Sequence, residues 1–237
     1  AYYDWPGNTT EESLGQQTDR MAKMLELCGK KFGLPYDYAS FDHQPTTDEI
    51  LAIVKRLCHH ARLNVPSTYQ VRFLEIVDDI VEGFKNAVLI VRAPGSDDLS
   101  LEVTGGLMSG LRWTSVIGNA WNSVITGLVT KLLGDWGLAT GDIERYIRGD
   151  DSAIFTDNWA TAALMNLGYE AVGVKGGVGK FSIQYHQTEF LRIWYNYRCW
   201  GYPARAVPAL TQRKPWSSNP WSEDMVLKAL FEGCRTL

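Results

Sequence analysis

The 237-residue sequence lacks the marks of several protein classes. Its four cysteines are scattered without CxxC spacing, which argues against a disulfide framework or a zinc knuckle and makes a reducing compartment the expectation. Basic residues are not in excess, because 23 Lys and Arg stand against 27 Asp and Glu, so nucleic-acid binding would depend on local patches. The sequence begins Ala1-Tyr2-Tyr3 without a signal peptide, and we expect it to be an excerpt of a longer protein.

Long hydrophobic runs are also missing. The longest apolar-rich stretch, residues 116–133, is interrupted by Asn119, Asn122 and other polar side chains, so no membrane partner is expected. With 45% hydrophobic residues, the chain is nevertheless long enough to bury a sizeable core and to fold as a globular protein.

The sequence does contain interleaved helical and strand periodicities. Helical patterns cover a segment that ends at Gly33 and residues 47–63, 73–84, 109–134 and 159–167. Strand patterns cover residues 34–42, 87–91, 99–103, 169–174 and 187–195, together with a hairpin centred on Gly149-Asp150. Since hairpins take the place of regular βαβ crossovers, the sequence predicts an α+β fold with an antiparallel sheet flanked by helices.

Two acidic pairs lie at the ends of predicted strands. Asp37 and Asp42 occur in YDYASFD, and Asp150 and Asp151 occur in RGDDS. A lone Gly-Asp-Asp turn is common hairpin chemistry and by itself indicates only a turn. Two such pairs in one chain are suited to share Mg²⁺, which prefers a few carboxylate oxygens together with substrate phosphates.

The segment between these pairs carries small and polar residues at helical spacing. Ser109-Gly110 opens the predicted long helix, and Thr114, Gly118 and Asn122 follow on one stripe. A hydroxyl and an amide on that stripe could address the same ligand. The alternative is an ordinary helix N-terminus with a serine cap and a tolerated polar stripe.

The stretch VKGGVGKFS, residues 174–182, resembles a phosphate-binding P-loop. The P-loop motif needs Ser or Thr directly after its lysine to hold Mg²⁺, whereas Phe181 follows Lys180 here. An ATP-binding switch built on this segment is therefore an alternative that the mismatch weakens. A flexible surface loop with solvated lysines is a further alternative.

Five motifs occur in a diagnostic order: DYASFD, SGLRWT with a downstream Asn, GDD, a Gly- and Lys-bearing segment, and TEFLR. They resemble motifs A to E in the palm of viral RNA-dependent RNA polymerases, of the type found in picobirnaviruses and partitiviruses, which are double-stranded RNA viruses. The resemblance extends over residues 36–192 and implies a right-hand polymerase whose fingers and thumb are incomplete. The implied parts are a palm at 34–42 and 105–195, a fingers insertion at 43–104, an N-terminal helical segment joining fingers and palm at 1–33, and the start of the thumb at 196–237.

The resemblance implies roles for the acidic residues. Asp37 and Asp150 would hold two Mg²⁺ ions, for which Mn²⁺ could substitute, with Asp151 as an auxiliary ligand. The ions would promote in-line attack of a primer 3′-hydroxyl on a nucleoside triphosphate. Asp42, helped by Thr114 and an Asn, would sense the ribose 2′-hydroxyl, whereas reverse transcriptases usually carry a bulky aromatic residue at that position.

The resemblance also covers the motif that contains Ser109-Gly110, which would form the flexible loop beside the nascent base pair. The family often has Asn nine residues after this serine, a place that Gly118 takes here. We expect Asn122 to supply the ribose-binding amide in place of Asn119, whose side chain should point to another side of the helix.

Basic residues after GDD would contact phosphates and RNA. In the family, a lysine in this part of the palm helps to protonate the leaving pyrophosphate, and we favour Lys180 over Lys175. Arg192 begins a basic and aromatic segment that could follow an RNA strand, so it would contact the primer. The expected partners are an RNA template with its primer or nascent strand, nucleoside triphosphates and possible capsid protein, in the virion interior and the host cytoplasm. A non-catalytic RNA-binding palm is a further alternative.

Overall fold

The computed structural model describes residues 13–92, 95, 97–108, 113–138, 141–177, 182–202 and 222–234. Within these ranges its α-helices are α1 Leu14–Cys28, α2 Thr47–Arg62, α3 Gln70–Lys85, α4 Thr114–Asp135, α5 Trp159–Ala171 and α6 Glu223–Cys234. Its strands are β1 Phe32–Tyr36, β2 Val88–Val91, β3 Leu99–Glu102, β4 Glu144–Arg148, β5 Asp151–Thr156, β6 Gln184–Tyr185, β7 Thr188–Phe190, β8 Ile193–Tyr195 and β9 Cys199–Trp200. The predicted α+β class with antiparallel sheets is confirmed.

A four-stranded antiparallel sheet in the order β4-β5-β1-β6 lies at the centre of the fold. Side chains alternate between the two faces of β5, so Ile154 joins one hydrophobic cluster while Ala153 and Phe155 join another. The first cluster includes residues of α2, α4 and α5, and the second includes residues of α1 and the three-stranded sheet β7-β8-β9. Because both faces are covered, these three residues of β5 are completely buried.

The long helix α4 corresponds to the helical pattern predicted over residues 109–134, and it packs closely against α5. Gly168 of α5 makes this approach possible, because a Cβ there would come within 2.6 Å of Cγ1 of Val129. α4 also lies over the sheet, with Ile117 and Leu133 buried in the same cluster as Ile154. The helix is thereby fixed next to the β4-β5 turn.

The predicted end of α1 at Gly33 is wrong. The helix ends at Cys28 with Gly29 as its C-cap, and Gly33 lies within β1. A Cβ at Gly33 would come within 3.0 Å of the Cβ of Thr188. This glycine therefore permits a close approach between β1 and β7 and does not end the helix.

The strand predicted over residues 169–174 is also wrong, because Tyr169–Ala171 completes α5. The apolar run there suits either a strand or a helix, and tertiary packing decides between them. Tyr169 is fully buried and stacks on Tyr36 with ring centroids 3.9 Å apart. The β-region predicted over residues 187–195 is a hairpin of β7 and β8 that turns at Leu191-Arg192.

The region between β1 and α4 contains α2, α3 and the β2-β3 ribbon. The strands predicted over residues 87–91 and 99–103 are confirmed as this antiparallel ribbon. Every residue of both strands is exposed, although most of them are apolar. Among the described helices, none combines the length and the apolar character that crossing a bilayer requires.

Candidate active site

Two cavities meet at the turn between β4 and β5. The first, called the acidic cavity here, measures about 460 Å³, and its lining includes Asp37, Asp150, Asp151, Glu189 and Arg192. The second, called the α4-side cavity, measures about 430 Å³, and its lining includes Asp42, Thr114, Ser115, Gly118 and Asp150. Since Asp150 lines both cavities, the two predicted acidic pairs lie around one site.

The central sheet brings Asp37 to the Asp150-Asp151 pair. Antiparallel pairing of β1 with β5 sets Tyr36 opposite Ser152. Asp37 directly follows Tyr36 and Asp151 directly precedes Ser152, so both carboxylates emerge at the same end of the two strands. The convergence predicted for the two acidic motifs is therefore present in the fold.

The β4-β5 turn is held by two amides of α4. Gly149 has φ +61°, a left-handed conformation that suits glycine in a tight hairpin turn. Its N–H donates to Oδ1 of Asn119 at 2.9 Å, and its carbonyl accepts from Nδ2 of Asn122 at 2.8 Å. Both backbone polar groups of the residue before Asp150 are thus bonded to one helix, which fixes the position of the turn.

Asn122 lies beneath the turn and not at the surface of a cavity. Its Nδ2 also donates to Oγ of Ser152 at 2.9 Å, and its Oδ1 accepts from the hydroxyl of Tyr38 at 2.6 Å. The residue is fully buried, and Asn119 is only 3% exposed. The predicted stripe of Thr114, Gly118 and Asn122 exists on α4. Other segments of the same chain cover its Asn122 end, so only the part nearer Thr114 is accessible. Neither asparagine lines the α4-side cavity.

A side chain at position 118 would be crowded by its neighbours. A Cβ there would lie 3.1 Å from Cε1 of Phe41 and 3.5 Å from Cδ1 of Leu107. Phe41 is in turn held edge-on against the rings of Tyr38 and Trp121, with centroid distances of 5.1 and 5.5 Å. The aromatic packing around Phe41 therefore takes the space of a side chain at position 118.

Asp42 and Thr114 are brought together at the α4-side cavity. Asp42 lies in a 3₁₀ turn, Phe41–His43, and its carbonyl accepts a 2.7 Å hydrogen bond from the N–H of Leu107. The hydroxyl of Thr114 donates to the carbonyl of Met108 at 2.7 Å, so the hydroxyl oxygen can still serve as an acceptor. A carboxylate and a hydroxyl oxygen next to Asp150 suit a ligand that donates hydrogen bonds.

Negative charge is concentrated in the acidic cavity. The pKa of Asp151 is raised to about 6, chiefly by desolvation and also by the charges of Asp150, Asp37 and Glu189, while the charge of Arg192 lowers it. Among the described residues, no group of three or more His, Cys, Asp or Glu side chains is arranged as a ready-made metal centre. The chemistry nevertheless fits a hard divalent cation, because several carboxylate oxygens share one cavity and repel one another.

The β7-β8 hairpin supplies Arg192 and a residue that the sequence analysis missed. Leu191 and Arg192 have φ +53° and +61°, so both central residues of the two-residue turn are left-handed without being glycine. Arg192 is exposed and lines the acidic cavity, as does Glu189 of β7. The sequence pattern of TEFLR predicts a role only for Arg192, although strand alternation places Glu189 on the face opposite the buried Phe190.

The described part of the Gly-rich segment contradicts the P-loop interpretation. The N–H of Lys175 donates to Oε1 of Gln44 at 3.0 Å, and the N–H of Gly177 donates to the carbonyl of Asp37 at 2.8 Å. These donors are therefore engaged and do not cradle phosphate. A P-loop also follows a strand and opens a helix, whereas this segment follows α5 and precedes β6.

Three predicted site residues, Ser109, Gly110 and Lys180, lie outside the described residues. Lys175, the alternative to Lys180, is exposed beside the segment that follows β1. Of the predicted site residues that the structure describes, Asp37, Asp150, Asp151 and Arg192 line the acidic cavity, and Asp42 and Thr114 line the α4-side cavity.

A protein-family model described as viral RNA-directed RNA polymerase matches residues 16–213 of the chain. No curated protein matches the sequence. The fold resembles the RNA-dependent RNA polymerase of a human picobirnavirus with its insertion loop deleted, at a TM-score of 0.64 and 16% identity. That likeness covers 94% of this chain and 43% of the other.

Two further solved structures resemble the chain at low identity. The human picobirnavirus polymerase with its loop has a TM-score of 0.59 and 15% identity, covering 92% of this chain and 40% of the other. A telomerase from Candida tropicalis, truncated from its C-terminal domain, has a TM-score of 0.57 and 12% identity, covering 80% and 39%. The chain thus spans less than half the length of each of these three structures.

Proposed function

Because the chain belongs to the viral RNA-directed RNA polymerase family, we propose that it forms the catalytic palm of an RNA-dependent RNA polymerase. It would join nucleoside triphosphates on an RNA template for replication and transcription of a double-stranded RNA genome. The observation that carries this proposal is the convergence of Asp37, Asp150 and Asp151 in one cavity, next to a second cavity lined by Asp42 and Thr114.

The metal ligands in this proposal are Asp37, Asp150 and Asp151, with Mg²⁺ as the physiological cation and Mn²⁺ able to substitute. When bound, divalent cations activate the primer 3′-hydroxyl and neutralise charge on the pyrophosphate that leaves. The residues themselves supply hard oxygen ligands from two adjacent strands. The raised pKa of Asp151 supports this role, because desolvation and the neighbouring carboxylates both disfavour the ionised form and a bound cation would offset both effects.

Nucleotide selection is assigned to the α4-side cavity. The Asp42 carboxylate can accept a hydrogen bond from a ribose 2′-hydroxyl, and Thr114 lies beside it in the lining. Ser109-Gly110 would form the loop beside the new base pair. Asn122 would act indirectly, because its bond to Gly149 positions Asp150.

The remaining roles concern phosphate and RNA. Lys180, or in its place Lys175, would protonate the leaving pyrophosphate, and Arg192 would bind the primer backbone from the rim of the acidic cavity. The partners would be an RNA template, its primer or nascent strand, nucleoside triphosphates and the viral capsid protein. Such a replicase would act in the host cytoplasm and in the virion interior.

Mn²⁺ binding tests the proposal most directly, because it does not require the rest of a polymerase. Asp37→Asn and Asp150→Asn should each weaken the same site in calorimetry or paramagnetic relaxation, since both carboxylates face one cavity. Asp98→Asn is the matched control, because that exposed aspartate pairs with Arg92 away from the site. Binding that neither site variant alters would refute the metal assignment.

RNA binding separates the catalytic palm from a non-catalytic RNA-binding palm. Template-directed nucleotide addition that requires Mg²⁺ and is lost in Asp150→Asn supports catalysis. RNA binding that is independent of metal and unaffected by Asp150→Asn, with no nucleotide addition, would favour the non-catalytic alternative.

A further inference from the structure

Gln44 uses its side-chain amide to join two segments of the candidate site. Its Nε2 donates to the carbonyl of Ala39 at 2.7 Å and to the carbonyl of Lys175 at 2.8 Å. Its Oε1 accepts from the N–H of Lys175 at 3.0 Å. Both N–H donors and the carbonyl of one amide are therefore engaged, and the reverse amide orientation would set its oxygen against two carbonyl oxygens.

The backbone continues the same connection. The N–H of Ala39 donates to the carbonyl of Lys175 at 2.9 Å, and the N–H of Gly177 donates to the carbonyl of Asp37 at 2.8 Å. Tyr38 and Gly176 form an isolated antiparallel bridge. Residues 37–39 and 175–177 are thus paired like two short strands, and the Gln44 side chain adds three bonds at the end of that pairing.

The two joined segments carry different parts of the proposed chemistry. Residues 37–39 begin with the proposed metal ligand Asp37 and lead to Asp42, only two residues before Gln44. Residues 175–177 include Lys175 and lead in sequence toward Lys180. An amide that binds both backbones keeps their separation constant, which matters because a shift of about 1 Å at a reacting group can cost about 100-fold in rate.

On these grounds we propose that Gln44 is a positioning residue of the polymerase reaction. It holds the lysine-bearing segment at a fixed distance from the metal-binding segment, so that the proton donor and the metal ligands address the same triphosphate. Gln44 itself contacts neither metal nor nucleotide in this role. The inference rests on the proposed function, because it assigns Gln44 to that same reaction.

Gln44→Glu is the test variant, because it keeps the shape of the side chain and removes both N–H donors. Two carbonyl oxygens would then face a carboxylate oxygen, which is repulsive. Gln70→Glu is the matched control, since Gln70 donates to the carbonyl of Val65 at 3.3 Å and is likewise half-buried, but lies outside the site.

Backbone hydrogen exchange measures the positioning directly and needs no catalytic activity. Gln44→Glu should increase hydrogen exchange at the amides of Ala39, Lys175 and Gly177 by about tenfold or more. The pairing of the two segments opens more often once the Gln44 hydrogen bonds to the carbonyls of Ala39 and Lys175 are lost. Gln70→Glu should leave these amides unchanged. Unaltered exchange in Gln44→Glu would overturn the proposal.

Nucleotide addition then tests whether the positioning matters for the reaction. Gln44→Glu should lower kcat about 10- to 100-fold with little change in KM for the primer–template, whereas Gln70→Glu retains both. Lowering the pH should reduce the defect, because protonation of the introduced carboxyl restores one donor. A normal kcat despite faster exchange overturns the positioning role. Mn²⁺ binding that neither Asp37→Asn nor Asp150→Asn alters overturns the proposed function instead, whatever the exchange result.

Discussion

The side-chain amide of Asn122 donates a 2.8 Å hydrogen bond to the carbonyl of Gly149, across the interface between α4 and the β4-β5 turn. The same turn carries Asp150, which lines both cavities of the candidate site. A fully buried amide thus determines where a proposed metal ligand lies. The conformation of the β4-β5 turn therefore depends on α4, which is distant from it in sequence.

Asn122→Asp should destabilise the protein more than Asn119→Asp. Asn122 donates to Gly149 and Ser152, and aspartate lacks those donors, whereas Asn119 accepts from Gly149, which aspartate can still do. We expect Asn122→Asp to lower the free energy of unfolding by about 2–4 kcal/mol, because buried acceptors lose their partners and a charge is buried. Equal losses in urea denaturation of the two variants would contradict the assigned donor directions.

Divalent-cation binding should weaken as pH falls through about 6. The pKa of Asp151 is raised to about 6, so below that pH a proton occupies the carboxylate that a cation would bind. Mn²⁺ calorimetry between about pH 5 and 8 measures the effect. Asp151→Asn should bind more weakly and lose this pH dependence, and an unchanged pH profile in the variant would argue against Asp151 as the proton competitor.

The raised pKa of Asp151 has the opposite effect on folding stability in the absence of metal: stability decreases as pH rises. Because the folded-state pKa of Asp151 exceeds the ordinary value of 3.8, the unfolded chain ionises first and folding stability falls as pH rises from about 4 to about 6. In metal-free buffer, Asp151→Asn should therefore raise the melting temperature above pH 6 and have no effect near pH 4. A melting temperature raised equally at both pH values would contradict this linkage.

Arg192→Gly should be more stable than Arg192→Ala. Both variants remove the exposed guanidinium, but only glycine relieves the left-handed backbone at φ +61°. The expected difference in unfolding free energy is about 1 kcal/mol. Both variants should reduce primer–template affinity to the same extent in fluorescence anisotropy, since that effect depends on the lost charge. If the two variants differed in primer–template affinity but not in unfolding free energy, the assignment of backbone strain to position 192 would be wrong.

Gly118→Ala should destabilise the protein although alanine favours helices. The added Cβ would lie 3.1 Å from Phe41, whose ring is held by Tyr38 and Trp121 and cannot easily move. Overpacking of this kind costs about 1–3 kcal/mol. Gly134→Ala is the control, because a Cβ there meets no atom within 4 Å and should stabilise α4 by about 0.5–1 kcal/mol. Combining Gly118→Ala with Phe41→Leu should remove the penalty.

The acidic motifs could be predicted from the sequence because their geometry is local. Asp150 and Asp151 belong to a hairpin turn, and Asp37 follows a strand that must end where the chain turns. The pairing of β1 with β5 then places them together. Turn and strand chemistry thus placed each pair at the end of a strand, whereas the expectation that the pairs meet rested on their suitability for shared Mg²⁺ and on the resemblance. The presence of Glu189 in the acidic cavity was not predicted.

The contacts of Asn122 and Gln44 could not be predicted in this way. Tyr38, Gly149 and Ser152 reach Asn122 from two separate segments, so burial of the amide depends on tertiary packing. Gln44 binds Lys175, which is 131 positions away in sequence. The end of α5 was missed for the same reason, because stacking of Tyr169 on Tyr36 selects helix over strand.

The pairing of Tyr36 with Ser152 also limits how the chain can vary in length. Side chains alternate along a strand, so one residue inserted or deleted within β1 or β5 would move Asp37 or Asp151 out of register and reverse the faces of Leu34 or Ile154. Related sequences should therefore keep the spacing inside these strands constant. Insertions and deletions should occur instead in the segments between strands, where they break no cross-strand pair.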